Sequence, residues 1–85
     1  MKEFIYTITD ENGIHARPAG LLVKKASEFE SEITIRLDEK SVDAKKIFSV
    51  MSLGAKNGDT VSVSVSGSDE EKAEKELSEF FKTNL

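Results

Sequence analysis

The chain has 85 residues, a net charge of −4, an isoelectric point near 5.0 and no cysteine. That length makes one domain, residues 1–85, with a single core and no room for a cleft between lobes. The acidic balance argues against nucleic acid as a partner, and the lack of cysteine excludes a disulfide framework, thiolate chemistry and a cysteine-based zinc site. Residues 1–25 carry no signal-peptide pattern and no apolar run approaches membrane-spanning length, so a cytoplasmic protein with no membrane insertion is expected.

From Lys2 to Thr9 the chain alternates, with Phe4, Tyr6 and Ile8 on one side, and reads as a first strand. Asp10-Glu11-Asn12-Gly13 is turn chemistry. A helix follows from about Ala16 to Ser27 or Phe29, with Ala19, Leu22, Val23 and Ala26 as its apolar spacing. Gly20 inside it costs about 1 kcal/mol relative to alanine, and serves either close packing or the approach of a partner's backbone. Glu32 to Leu37 alternates again, turns at Asp38-Glu39 and returns through Lys40 to Asp43 as a hairpin. The stretch Lys45 to Gly54 suits a two-turn helix with Gly54 just past its C-terminus. Thr60 to Ser66 alternates valine with serine, the clearest half-buried strand. Ser68-Asp69-Glu70-Glu71 reads as a capping box opening a last helix, whose buried stripe is Ala73, Leu77, Phe80 and Phe81. The order βαββαβα, with alternating strands and amphipathic helices, predicts an α+β open sandwich.

Gly13-Ile14-His15-Ala16-Arg17-Pro18-Ala19 holds the only histidine, the only proline and one of the arginines of the chain. Proline suits the first turn of a helix, which places His15 at a helix mouth. Unpaired backbone N–H groups and the positive end of the helix dipole converge there, through Ala16, Arg17 and Pro18. Arg17 adds a permanent cation able to bond two phosphoryl oxygens at once. A neutral imidazole has a nucleophilic lone pair, so the parts suit carriage of a phosphoryl group on nitrogen. No second titratable group beside His15 can be named from the sequence as acid or base, which weakens the alternative of a stand-alone enzyme. One histidine and scattered carboxylates show no metal-ligand spacing, and no cofactor is implied.

The run Gly13 to Ala19 resembles the active-site signature of HPr, the histidine-containing phosphocarrier family of the bacterial phosphoenolpyruvate-dependent sugar phosphotransferase system. Ile47 to Gly54 is similar to that family's second-helix region, and Gly67 to Glu71 to its approach to the last helix. The resemblance covers essentially the whole chain. It implies a four-stranded antiparallel sheet covered on one face by three helices. It further implies that His15 accepts a phosphoryl group on Nδ1 from phosphorylated enzyme I, with Arg17 neutralising the phosphoryl charge. The group then passes to A-type domains of sugar-specific permeases. Matching docking positions are Gly20, Leu21 and Lys24 on the first helix and Ile47, Phe48, Met51 and Ser52 on the second. Since Ile47 and Phe48 are adjacent, one of the two is expected to be exposed. Lys24, Lys45 and Lys46 are candidates for steering acidic partners.

One residue departs from the family pattern. Many members carry at the position of Lys46 a serine that caps the second helix and is phosphorylated by a regulatory kinase. Lysine has no acceptor for a cap, and a cation at a helix N-terminus costs roughly 0.3–1 kcal/mol. The expectation is a carrier outside that serine-linked control. A protein that gates a target by docking alone is the alternative from another class. Nothing in the sequence demands more than a monomer.

Overall fold

The computed structural model describes residues 1–85. Strand β1 (Lys2–Thr7) is followed by helix α1 (Ala16–Ala26), the hairpin β2 (Glu32–Leu37) and β3 (Lys40–Asp43), helix α2 (Ile47–Ser52), strand β4 (Thr60–Ser66) and helix α3 (Glu70–Asn84). The four strands form one antiparallel sheet in the order β1-β4-β2-β3. The valine–serine strand is therefore central, between β1 and β2. Its register sets Phe4, Val63, Ile35 and Val42 in one row across the sheet. Because side chains alternate by face, that row and its neighbours Val61, Val65 and Ile33 form the inner surface. The outer surface carries Ser62, Ser64 and Thr34.

The three helices cover the inner surface. Leu22 and Ala26 of α1, Val50 of α2, and Ala73, Leu77 and Phe81 of α3 are buried with the valines of β4 in one apolar cluster. The Phe81 ring meets the rings of Phe4 and Tyr6 edge-on, with both centroid separations 5.5 Å. That geometry suits the ring quadrupoles as well as burial. This is the open-faced sandwich expected from the element order. No helix is long and apolar enough to cross a membrane.

Local boundaries differ from the sequence reading at three places. The first strand ends at Thr7, although Ile8 is buried and its N–H still bonds the Asp59 carbonyl at 2.8 Å. Helix α1 stops at Ala26, where the N–H groups of Glu28 and Phe29 turn back to Lys25 and Ala26 and bring Phe29 into the core. Helix α3 begins at Glu70, and the capping box does not form at Ser68. The Ser68 hydroxyl bonds Glu30 instead, and Glu70 reaches back to the Gly67 N–H at 3.1 Å. The Asp69 carboxylate accepts from the Glu30 and Ser31 N–H groups at 2.9 and 3.0 Å and from the Ser31 hydroxyl. Ser31 is buried, and satisfying its polar groups is worth more than a cap at a solvent-facing helix end.

Candidate functional site

His15 occupies the N-cap position of α1, with extended backbone and no side-chain capping bond. Its carbonyl accepts the Ala19 N–H at 2.9 Å, the first intrahelical bond. Two N–H groups are therefore open at the helix mouth, those of Ala16 and Arg17. Pro18 is buried, has no N–H and contributes shape rather than a donor. This corrects the expectation that Pro18 helps to cradle an anion through its backbone.

The turn preceding His15 is held by the rest of the fold. The Gly13 N–H bonds the Asp10 carbonyl at 3.0 Å, and the Ile14 N–H bonds the Ala55 carbonyl at 3.0 Å. Gly13 has φ +64°, and a Cβ there would lie 2.3 Å from the Ala55 oxygen. Only glycine allows this approach between the His15 loop and the segment leading into β4. Ile14 is buried beside it, so His15 is presented from a packed base.

The His15 imidazole is 42% exposed. It borders a shallow depression of about 230 Å³ lined by Asp10, His15, Arg17, Pro18 and Leu21, and by Thr83 and Asn84 from the end of α3. Arg17 enters none of the molecule's ion pairs, so its guanidinium is available to an incoming anion. An exposed imidazole, two open N–H groups and an unpaired guanidinium can hold and neutralise a phosphoryl group without enclosing it. No group of acids and histidines is placed to hold a metal ion.

The structure adds a residue that the sequence reading passed over. Asp10 Oδ1 stands 4.0 Å from His15 Nε2, so an acidic group does flank the histidine. Asp10 also serves the turn that its sequence indicates: the same oxygen accepts the Asn12 N–H at 2.8 Å. Four residues lie between Asp10 and His15, a spacing with no regular periodicity, so only the folded turn reveals the pair. Thr83 and Asn84 could not be found either, since they arrive from the far end of the chain. The Leu85 carbonyl fixes that end by accepting the Thr9 and Asp10 N–H groups at 2.6 and 2.8 Å.

The expected docking residues fall on two helices packed side by side. Gly20 of α1 faces Ile47 of α2, and a Cβ at Gly20 would meet only Ile47 Cδ1, at the ordinary contact distance of 3.6 Å. Packing therefore does not require glycine here. Leu21 is 44% exposed, Met51 40% and Phe48 81%, whereas Ile47 is half-buried. Of the adjacent pair Ile47 and Phe48, it is Phe48 that stands in solvent. Lys24 and Lys46 are exposed and unpaired. Lys45 does not join them: its ammonium donates to the Phe29 carbonyl at 2.7 Å and ties α2's leading loop to the end of α1. Ser52 is exposed, but its hydroxyl donates to the Ser49 carbonyl at 2.7 Å.

Lys46 sits at the N-cap of α2 and supplies no capping bond. The turn into the helix relies on Asp43, whose carboxylate accepts the Lys45 N–H at 2.8 Å. At the other end Gly54, with φ +71°, takes the left-handed conformation expected just past a helix C-terminus.

Comparison with known proteins agrees with this geometry. Residues 2–83 match the family described as the PTS HPr component phosphorylation site. An HPr structure from Thermoanaerobacter tengcongensis is 44% identical, with a TM-score of 0.93 over 98% of this chain and 93% of that one. The phosphocarrier protein HPr of Bacillus anthracis is 35% identical, with a TM-score of 0.87 over 94% of this chain and 95% of that one. Crh, the catabolite repression protein of Bacillus subtilis, is 32% identical, with a TM-score of 0.79 over 94% of this chain and 92% of that one. Family, fold and an exposed histidine at a helix mouth converge: the chain belongs to the HPr family, phosphocarrier proteins of the phosphotransferase system rather than stand-alone catalysts.

Proposed function

We propose that His15 is the phosphoryl acceptor of this carrier, that phosphorylated enzyme I is its donor, and that A-type domains of sugar permeases are its acceptors. The observation that supports this most directly is the exposed imidazole beside the free N–H groups of Ala16 and Arg17 and the unpaired guanidinium of Arg17. The lone pair on Nδ1 attacks phosphorus as the bond between phosphorus and the donor's leaving atom breaks. The helix mouth and Arg17 meet the charge on the phosphoryl oxygens. The shallowness of the site suits a carrier, because a deep enclosure would hold the group too firmly to release it. Leu21, Phe48 and Met51 offer apolar contact, with Gly20 and the half-buried Ile47 between the helices and Ser52 and Lys24 beside them. Aliphatic and aromatic groups ringed by charge are the composition of a transient docking surface.

The test is incubation with phosphoenolpyruvate, magnesium and enzyme I, followed by intact mass. The expected result is an acid-labile gain of one phosphoryl group that is lost in His15→Ala. No gain, under conditions that phosphorylate a standard HPr, overturns the assignment and moves the docking-only reading to the front. Lys46 replaces the serine through which many relatives are regulated, so serine-linked control is absent from this chain. Incubation with an HPr kinase and ATP is expected to leave no phosphoserine, and stoichiometric phosphoserine refutes this.

A further inference from the structure

Asp10 is held in place by three hydrogen bonds, one to its carboxylate and two along its backbone. Its Oδ1 accepts the Asn12 N–H at 2.8 Å, its backbone N–H donates to the Leu85 carbonyl at 2.8 Å, and its own carbonyl accepts the Gly13 N–H at 3.0 Å. Thus fixed, Oδ1 faces His15 Nε2 at 4.0 Å. The other charged group of the same depression is Arg17, which enters no ion pair. Of the two ring nitrogens, it is Nε2 that has an ion-pair contact with a carboxylate.

Resting on the assignment of His15 as acceptor, we infer that Asp10 is a positioning residue for the transfer: it keeps the proton on Nε2 and so leaves the lone pair on Nδ1. A carboxylate oxygen only accepts hydrogen bonds, so the tautomer that turns an N–H toward it is favoured over the one that presents a lone pair. When Nδ1 attacks, a nitrogen–phosphorus bond forms as the donor's bond to phosphorus breaks and the donor's leaving atom departs with the electron pair. Nε2 keeps its proton, and the phosphorylated ring becomes cationic. Asp10 faces that developing charge. On the outward step the Nδ1–phosphorus bond breaks and its electron pair returns to Nδ1. The ring leaves as neutral imidazole because the proton never left Nε2. Asp10 thus favours both the receptive tautomer and the transferable form of phosphohistidine.

The experiment compares the wild type with Asp10→Asn, which retains an oxygen acceptor for the Asn12 turn but no charge, and with Asp10→Ala. Heteronuclear NMR of the unphosphorylated proteins, at about pH 8.5 and so about two units above the imidazole reference value, gives the ratio of Nε2–H to Nδ1–H tautomers. The ratio is expected to fall in both variants, by about twofold to threefold. The lifetime of the phosphorylated form near neutral pH is expected to lengthen in both by up to about fivefold, the factor that one unit-charge interaction at about 4 Å gives in bulk water. An unchanged tautomer ratio in Asp10→Asn overturns the inference, and so does a change confined to Asp10→Ala, which would implicate the turn alone. The NMR readout needs no enzyme I. Failure of the wild type to be phosphorylated would strike the carrier assignment, whereas equal ratios with normal phosphorylation would strike this inference alone.

Discussion

Replacing Gly20 with alanine separates stability from docking at one position. Glycine in a helix interior costs about 0.8–1.0 kcal/mol relative to alanine, mostly through backbone entropy. Alanine recovers this only if its methyl group fits, and here the methyl would meet a single atom, Ile47 Cδ1, at 3.6 Å. That is ordinary contact and asks nothing of the backbone. Gly20→Ala is therefore expected to raise stability by about 0.5–1 kcal/mol. For a domain of this size that is a rise of about 2–8 °C in Tm. Urea unfolding with a raised midpoint and an unchanged m-value would confirm a gain in stability, which comes mainly from the lower entropy of the unfolded chain, rather than a change in the compactness of either state. If a partner's backbone approaches this bare patch, the same methyl group should slow phosphoryl transfer from enzyme I while leaving His15 chemically intact. The expected signature is higher Tm with a raised KM for the carrier and little change in kcat. A lower Tm refutes the packing argument, because it would mean that Ile47 cannot yield the space. A higher Tm with unchanged KM refutes the docking role of Gly20.

Other substitutions test the supports of the site. Gly13→Ala forces a Cβ to 2.3 Å from the Ala55 oxygen at φ +64°. It should destabilise the fold by about 1–3 kcal/mol and reduce the rate of phosphorylation in parallel, as read by denaturant melts and enzyme I assays. The Asp69 carboxyl is held below its ordinary value, first by the Ser31 hydroxyl and then by the Glu30 N–H. A depressed carboxyl contributes stability above its unfolded value of about 4 and loses it as pH falls through the folded one. Glu70 and Glu76 are depressed as well, by the Gly67 N–H and by Lys25 respectively, so all three weaken the fold in the same acid range. In acid melts Asp69→Asn should flatten the part of the decline below about pH 4 that Asp69 contributes, and an unchanged slope would refute its role. Lys46→Ser should add about 0.5–1 kcal/mol by giving α2 the cap acceptor that it lacks and removing a cation from its N-terminus, measurable as a shift in the urea midpoint.

The periodicities of the chain determined its elements. The alternation of Val61, Val63 and Val65 with serine, the spacing of Ala19, Leu22 and Ala26, and the turn pair Asp38-Glu39 each specify structure from within a few residues. The element order then left an open sandwich as the natural way to bury one face of each. His15, Arg17 and the glycine before them were legible for the same reason, since a helix mouth is local structure. Only the tertiary structure decided which groups meet across distance. The sequence around Ser68 contains a sound capping box, yet Asp69 turns to Ser31 because a buried N–H and hydroxyl outweigh an exposed helix end. Lys45 looks like a free surface cation and is instead spent on the Phe29 carbonyl. Asp10 reads as a turn residue, and faces His15 because the loop is folded back by Gly13 and tied to Leu85. Periodicity encodes which face of an element is apolar. Hydrogen bonds between loops follow from how those faces pack, and no local pattern records them.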